Sequence, residues 1–251
     1  VNINRYQLEN YLTSLFDFEN GFSNNINLAT TITRNSIFNP IYPRNGSRFS
    51  LNIELTPPYS LFSDKNYDNM SDEDKFKFLE YKKIKTSGTW YNSIYENFVF
   101  KTHFEFGFLS AYNDQIGLPP FERFYVGGDG LSGYSVDGRE LVGLRGYANN
   151  ALSSNEGSSV YSKYHVELRY PVSLNPSSTI YALFFAEAGN AWSDIIKFNP
   201  FEVKRSVGLG IRIFMPMFGI LGVDFGHGFD NIPLSDTKSG WQTHFTIGQQ
   251  F

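Results

Sequence analysis

The chain has 251 residues, no cysteine, a net charge of −4 and 18% aromatic residues, among them 25 Phe and 16 Tyr. The mild acidity argues against nucleic acid, which asks for basic patches; the absent cysteine fits a disulfide-free design and fixes no compartment; no run approaches the ~18 apolar residues of a transmembrane helix. The aromatics outnumber what a water-soluble core of this length needs, yet the mean hydropathy is polar, so the chain is expected to be greasy on alternate residues only. One all-β domain fits the length, as do two small ones. Val1 is no initiator Met and no signal peptide follows it, which leads us to expect a mature product or a piece of a longer chain.

In chain order, the recurring signal is alternation with period two over roughly ten residues at a time. Residues 25–34 are a weak strand. Residues 47–56 set Phe49, Leu51, Ile53 and Leu55 against Ser50, Asn52, Glu54 and Thr56. Another weak strand is predicted over about 78–92; a short helix is the alternative for 71–83. In 98–108, five phenylalanines (98, 100, 104, 106 and 108) share one face, and Lys101, His103 and Glu105 the other. In 160–171, Tyr164, Val166, Leu168 and Tyr170 oppose Lys163, His165, Glu167 and Arg169. The pattern returns in 179–188, with Ile180, Ala182, Phe184 and Ala186 opposite Tyr181 and Glu187. It returns in 205–215, with Val207, Leu209, Ile211 and Ile213 opposite Ser206 and Arg212. In 220–226, Leu221, Val223 and Phe225 oppose Asp224; in 241–251, Trp241, Phe245, Ile247 and Phe251 oppose Gln242, His244, Thr246 and Gln250. Successive strand side chains point to opposite faces, so each strand has one apolar and one polar face.

This makes about nine strands, with connections that alternate long and short from residue 57 onward. Two-sided alternation, short turns at one end and long loops at the other is the pattern of a transmembrane antiparallel β-barrel, and strands of ~9–11 residues are long enough to span the hydrocarbon. Trp90, Tyr91, Tyr170, Trp192 and Trp241 are placed for an interfacial girdle. A soluble β-sandwich, the competing reading, seldom needs so aromatic a face, and its strands run nearer ~5–6 residues. Bacterial single-chain barrels have an even strand number. Either a strand within the first 24 residues escapes the pattern, or the chain is the C-terminal part of a larger barrel.

Four stretches carry a resemblance. The longest connection, 109–159, opens with "PPFERFYVGG" (119–128) and carries "GLRGY" (143–147). "RNSIFNPIYPRNGSRFS" (34–50) and "SVGLGIRIFMPMFGILGVDFG" (206–226) have the look of a turn and a hairpin, the latter closed by Pro216 and Gly219, and the chain ends "THFTIGQQF". Together they resemble the BamA family of outer-membrane assembly proteins over roughly 24–251. "TPPYS" (56–60) is similar to Bacteroidota versions of that family. The resemblance implies strands of roughly numbers 8 to 16 of a sixteen-stranded barrel, with 109–159 as extracellular loop 6 and with the early strands and periplasmic POTRA domains absent from this chain. The family's Val-Arg-Gly-Phe/Tyr loop motif corresponds to Leu144, Arg145, Gly146 and Tyr147, with Leu144 a departure at its first position.

The resemblance further implies that loop 6 folds into the lumen and that Arg145 meets Glu167 and Glu187, which alternation puts on the polar face. A guanidinium is a planar fork suited to carboxylates, and glycines on either side let the backbone pass close to the wall. The last strand, with Phe245, Ile247 and Phe251 facing lipid and Gly248 permitting a bend, would be half of a lateral seam. The implied function is insertion of client β-barrels into the bacterial outer membrane. The partners would be the lipid bilayer, unfolded clients and accessory lipoproteins, with no nucleic acid and no cofactor. A secretion pore of the same superfamily and a simple porin are the alternatives. An enzyme is not expected. "GGDGLSGY" (127–134) lacks the Lys-Ser/Thr of a phosphate cradle. His103, His165, His227 and His244 lack metal-ligand spacing, three of them fitting lumen positions; Asp224 and His227 are close in sequence, but Gly226 and Gly228 around the histidine suggest a strand end there.

Overall fold

Alternation becomes pairing nearly everywhere it occurs. The computed structural model describes residues 1–8, 21–63, 65–131, 139–216, 219–233, 235 and 237–248. In chain order the strands are β1 (Asn2–Leu8), β2 (Gly21–Asn35), β3 (Gly46–Leu55), β4 (Lys82–Tyr95) and β5 (Phe98–Ser110). Two short strands, β6 (Phe124–Val126) and β7 (Glu140–Val142), lie within the longest connection. Then come β8 (Val160–Asn175), β9 (Ser178–Trp192), β10 (Lys204–Met215), β11 (Gly219–Asn231) and β12 (Lys238–Ile247). Ten of them form one antiparallel sheet in the order β1-β2-β3-β4-β5-β8-β9-β10-β11-β12, and β6 and β7 pair in parallel. Among the described residues β1 and β12 do not pair with each other, so the sheet is open.

The expected count of about nine is corrected by β1. Its sequence, NINRYQL, has no apolar alternation to read. What holds it is its register on β2, from Asn2↔Asn27 to Leu8↔Gly21, with polar inward neighbours such as Asn2 Nδ2, which donates to Asn27 Oδ1 at 3.1 Å. The strand expected from 78 begins at Lys82. Leu79 and Tyr81 instead turn into a fully buried apolar cluster, after a single helical turn, α1 (Asp72–Lys75), capped by Ser71 accepting from Asp74 N–H.

The connections that follow β3, β5, β9 and β11 leave one end of the sheet, and those that follow β2, β4, β8 and β10 leave the other. The two-residue turn 176–177 is locked by Asn175, whose Oδ1 accepts from the N–H and hydroxyl of Ser177, a side chain imitating a backbone turn.

The two faces have exchanged their usual solvents. Leu209, Phe225, Phe245 and Ile247 stand outward and exposed, with 54% or more of their surface open. Glu187, Asp224, Arg212 and His244 are buried on the inner face. A sandwich would have covered those outward apolar side chains with a second sheet; hydrocarbon is the solvent that suits them. The main apolar cluster lies inside the curve of the sheet. Loop residues Phe121, Phe124, Val126, Val142, Leu144, Tyr147 and Leu152 pack there with Leu79, Tyr81, Leu109 and Tyr161. The expected girdle is corrected in part. Trp90, Tyr170 and Trp241 are exposed, but Tyr91 and Trp192 are buried. Tyr91 lies under the Arg169 guanidinium, and Trp192 packs edge-on against Phe198. His103, His165 and His244 take inward positions. His227 stands outward between Phe229 and Trp241.

Candidate functional site

The connection 111–159, in its described residues, folds back onto the sheet. It turns at Pro120–Glu122, lays β6 beside β7 and brings 144–147 onto the inner wall. The Gly128 N–H donates to Tyr147 O at 3.0 Å, and Gly128 bridges to Leu144. Leu144 and Tyr147 are both fully buried. The departure at Leu144 is therefore apolar packing filled by another apolar side chain.

Arg145 enters a built pocket. Its backbone N–H donates to Glu187 Oε2 at 2.7 Å, while Nε and Nη2 donate to Glu187 Oε1 at 3.0 and 2.8 Å. Nη1 donates to Asp224 Oδ2 at 3.1 Å. The guanidinium carbon lies 3.6 Å from the Phe185 ring centroid, a stacked geometry open to arginine and closed to lysine. Burial by itself would lower the Arg145 pKa; Glu187, Asp224 and Glu167 outweigh it and hold the group above its ordinary value. Asp224, fully buried, also accepts both Nη1 and Nη2 of Arg212 at 2.7 Å each.

Glu167 pairs with Arg145 by charge, as expected, but without a direct hydrogen bond to it. Its Oε2 is 3.6 Å from Arg145 Nη2, too far for a good hydrogen bond, and its Oε1 accepts from Arg169 Nε. His165 Nε2 stands between, 3.1 Å from Arg145 Nη2 and 3.0 Å from Glu167 Oε2. One ring nitrogen either accepts from the arginine or donates to the acid, so His165 makes one of these bonds. The inner wall thus sets the guanidiniums of Arg145, Arg169 and Arg212 against the carboxylates of Glu167, Glu187 and Asp224. Such a set is costly to leave half-filled.

The backbone of the motif is held as firmly. Arg145 O accepts from Ser206, Gly146 O from Ser239 Oγ at 2.6 Å, and Gly146 N–H donates to His244 Nε2 at 2.8 Å. Tyr147 OH donates to Arg205 O at 2.8 Å. Gly146 has φ +86, and a Cβ on it would lie 2.6 Å from Ser206 Cβ and 3.1 Å from Gly228 N. The facing wall position is also glycine: a Cβ on Gly226 would lie 2.8 Å from Gly146 N. Gly146→Val is therefore expected to unseat the motif, at about 1–3 kcal/mol for the backbone and a further ~1–3 kcal/mol for overpacking. Thermal unfolding of the variant in detergent micelles measures this; an unchanged midpoint would mean the loop does not press on the wall as described.

Of the last-strand residues, Phe245 and Ile247 face outward and exposed. Gly248 follows the end of β12 with φ +109, its N–H donating to Ile220 O at 3.0 Å. The described strand ends at Ile247, and the positive φ of Gly248 supplies the bend that the sequence allows there. Phe251 lies outside the described residues. Sequence reasoning did not nominate Asp224, Phe185, His165, Ser206, Ser239 or His244 as neighbours of the motif. Alternation had put Asp224, His165, Ser206 and His244 on the polar face, but His244 lies 98 positions from its partner Gly146, and no spacing rule reaches that far.

Compared with known families, the chain matches the Omp85 superfamily domain over residues 2–251. A search of curated proteins returned no match. The family match takes in both the ten-stranded sheet and the loop that fills it. The chain belongs to the Omp85 superfamily, whose outer-membrane β-barrels act as insertases and translocators.

Proposed function

We propose that this chain is barrel wall from a BamA-type insertase, which folds client β-barrels into the outer membrane through a lateral seam beside β12. On this reading the ten-stranded sheet corresponds to roughly strands 7 to 16 of a sixteen-stranded barrel, one more than the sequence pattern suggests. The observation that carries the proposal is the contact between the loop motif and β12. Ser239 and His244, both on β12, hold the C=O and the N–H of Gly146, so the seating of Arg145 and the position of the last strand are linked. The outer edge of β12 has no strand partner among the described residues. An unpaired edge templates an incoming strand by backbone hydrogen bonding. A short or mismatched apolar belt at the seam would thin the bilayer and lower the insertion barrier. The partners are lipid, unfolded β-barrel clients and accessory lipoproteins; the residues do their work by pairing and charge, with no bond chemistry.

The absence of native cysteine makes the test clean. Single cysteines at Thr243, Phe245 and Ile247 are expected to crosslink to several stalled outer-membrane barrel clients, each carrying a cysteine in its terminal strand. A cysteine at Thr89, on the inner face, should not. Crosslinks at Thr89 to one secreted protein, with none along β12, would replace the insertase reading with a translocator.

A further inference from the structure

The arginine site explains one end of the loop only. A second polar cluster, with no sequence motif to announce it, holds the other end. Lys83 on β4 is buried, and its Nζ lies 3.1 Å from Glu122 Oε2 and 2.8 Å from Glu140 Oε2. Glu122 lies just before β6 and Glu140 opens β7, so one ammonium ties the outgoing and returning legs of the loop together and to the wall. The remaining bonds complete the cluster. Lys85 Nζ is 2.8 Å from Glu140 Oε1. Glu122 Oε1 accepts from Asn25 Nδ2 at 2.8 Å and from Tyr6 OH at 3.3 Å. The Tyr6 ring stacks on Phe121, centroids 4.7 Å apart and planes within 6°. Two lysines and two glutamates leave no net charge, which is what allows the cluster to be buried at all.

We propose that loop 6 is a strap with two independent anchors, and that Lys83 is the positioning residue of the second. The first anchor stands on β8 to β12 through Arg145, and the second on β1, β2 and β4 through Glu122 and Glu140. The loop therefore ties the two halves of the open sheet across its concave side. Releasing Lys83 frees the β1–β4 half from the strap while Arg145 stays seated, so the curvature of the wall is controlled from two places. This concerns the loop alone and holds for a translocator as much as for an insertase.

Trypsin reads the two anchors separately, because Arg123 adjoins Glu122 and Arg145 is the other anchor itself. The full chain in detergent micelles is digested briefly and the fragments are assigned by mass. In Lys83→Met, cleavage after Arg123 is expected to rise roughly tenfold or more while Arg145 stays protected, since cleavage tracks local opening. Lys83→Arg should restore protection. Because Lys83→Met leaves two buried acids unpaired, the neutral triple variant Lys83→Met, Glu122→Gln, Glu140→Gln is digested as well. Heat-modifiable gel mobility confirms that each barrel is folded, and if the single variant does not fold the triple variant decides. Wild-type protection of Arg123 in the folded variants overturns the second anchor. Simultaneous opening at Arg123 and Arg145 in a folded barrel overturns its independence.

Discussion

Replacing Arg145 by alanine is expected to cost on the order of 3–5 kcal/mol, the usual range when one partner of a buried ion pair is removed. The cost falls mainly on what remains. Glu187 loses three donors, two from the guanidinium and one from the displaced backbone, and Asp224 loses one. Glu187 then keeps none of these bonds, and Asp224 keeps only those from Arg212. Lysine is not a rescue, because one ammonium has no planar fork to reach Glu187 and Asp224 together while lying flat on Phe185. The loop should leave the wall as well, since the Gly146 bonds to His244 and Ser239 need the motif in place. Urea unfolding in micelles measures the first effect, and chymotryptic cleavage after Tyr147, fully buried while the motif is seated, measures the second. A variant within ~0.5 kcal/mol of wild type would show that the pocket merely accommodates the arginine.

Asp224→Ala should be comparably destabilising, again by roughly 3–5 kcal/mol, and for the opposite reason. It strands cations: Arg212 loses both of its bonds to a carboxylate and Arg145 loses one. Arg145 keeps Glu187, however, so the motif should remain seated and Arg145 protected from trypsin. That split distinguishes a wall residue from a loop anchor. The double variant Arg145→Ala, Asp224→Ala should lose less than the sum of the two, by about 0.5–3 kcal/mol, because the residues share one network. Strict additivity in the double-mutant cycle would deny the coupling seen in the geometry.

These two predictions differ in how far the sequence could have led to them. Arg145 announces itself, a cation set between Gly143 and Gly146 in the longest connection, and Glu187 lies on the polar face of a plainly alternating strand. Asp224 was visible as an inward residue but had nothing to mark it as a partner. Glu167, chosen by the same alternation, does stand 3.6 Å from Arg145 Nη2, but its hydrogen bond goes to Arg169. The difference is register. Which inward side chains of β8, β9 and β11 stand level with one another depends on how the strands slide past each other, and no short stretch of sequence encodes that slide.

Taken alone, the sequence determined that the chain is all-β, where most strands run, which face of each is greasy and which loop carries the arginine. All of these follow from a period of two residues, a property of the single strand and so of local sequence. Only the tertiary structure decided the rest. It added β1, which pairs through its neighbour and without apolar alternation of its own. It turned Tyr91 inward and covered Trp192 with Phe198. Above all, it brought Glu122 and Glu140 onto Lys83. Those contacts join residues far apart in the chain, and their favourable energy exists only once the sheet has curved and the loop has folded back into it. Burial makes the charges interact strongly, and burial belongs to the folded whole.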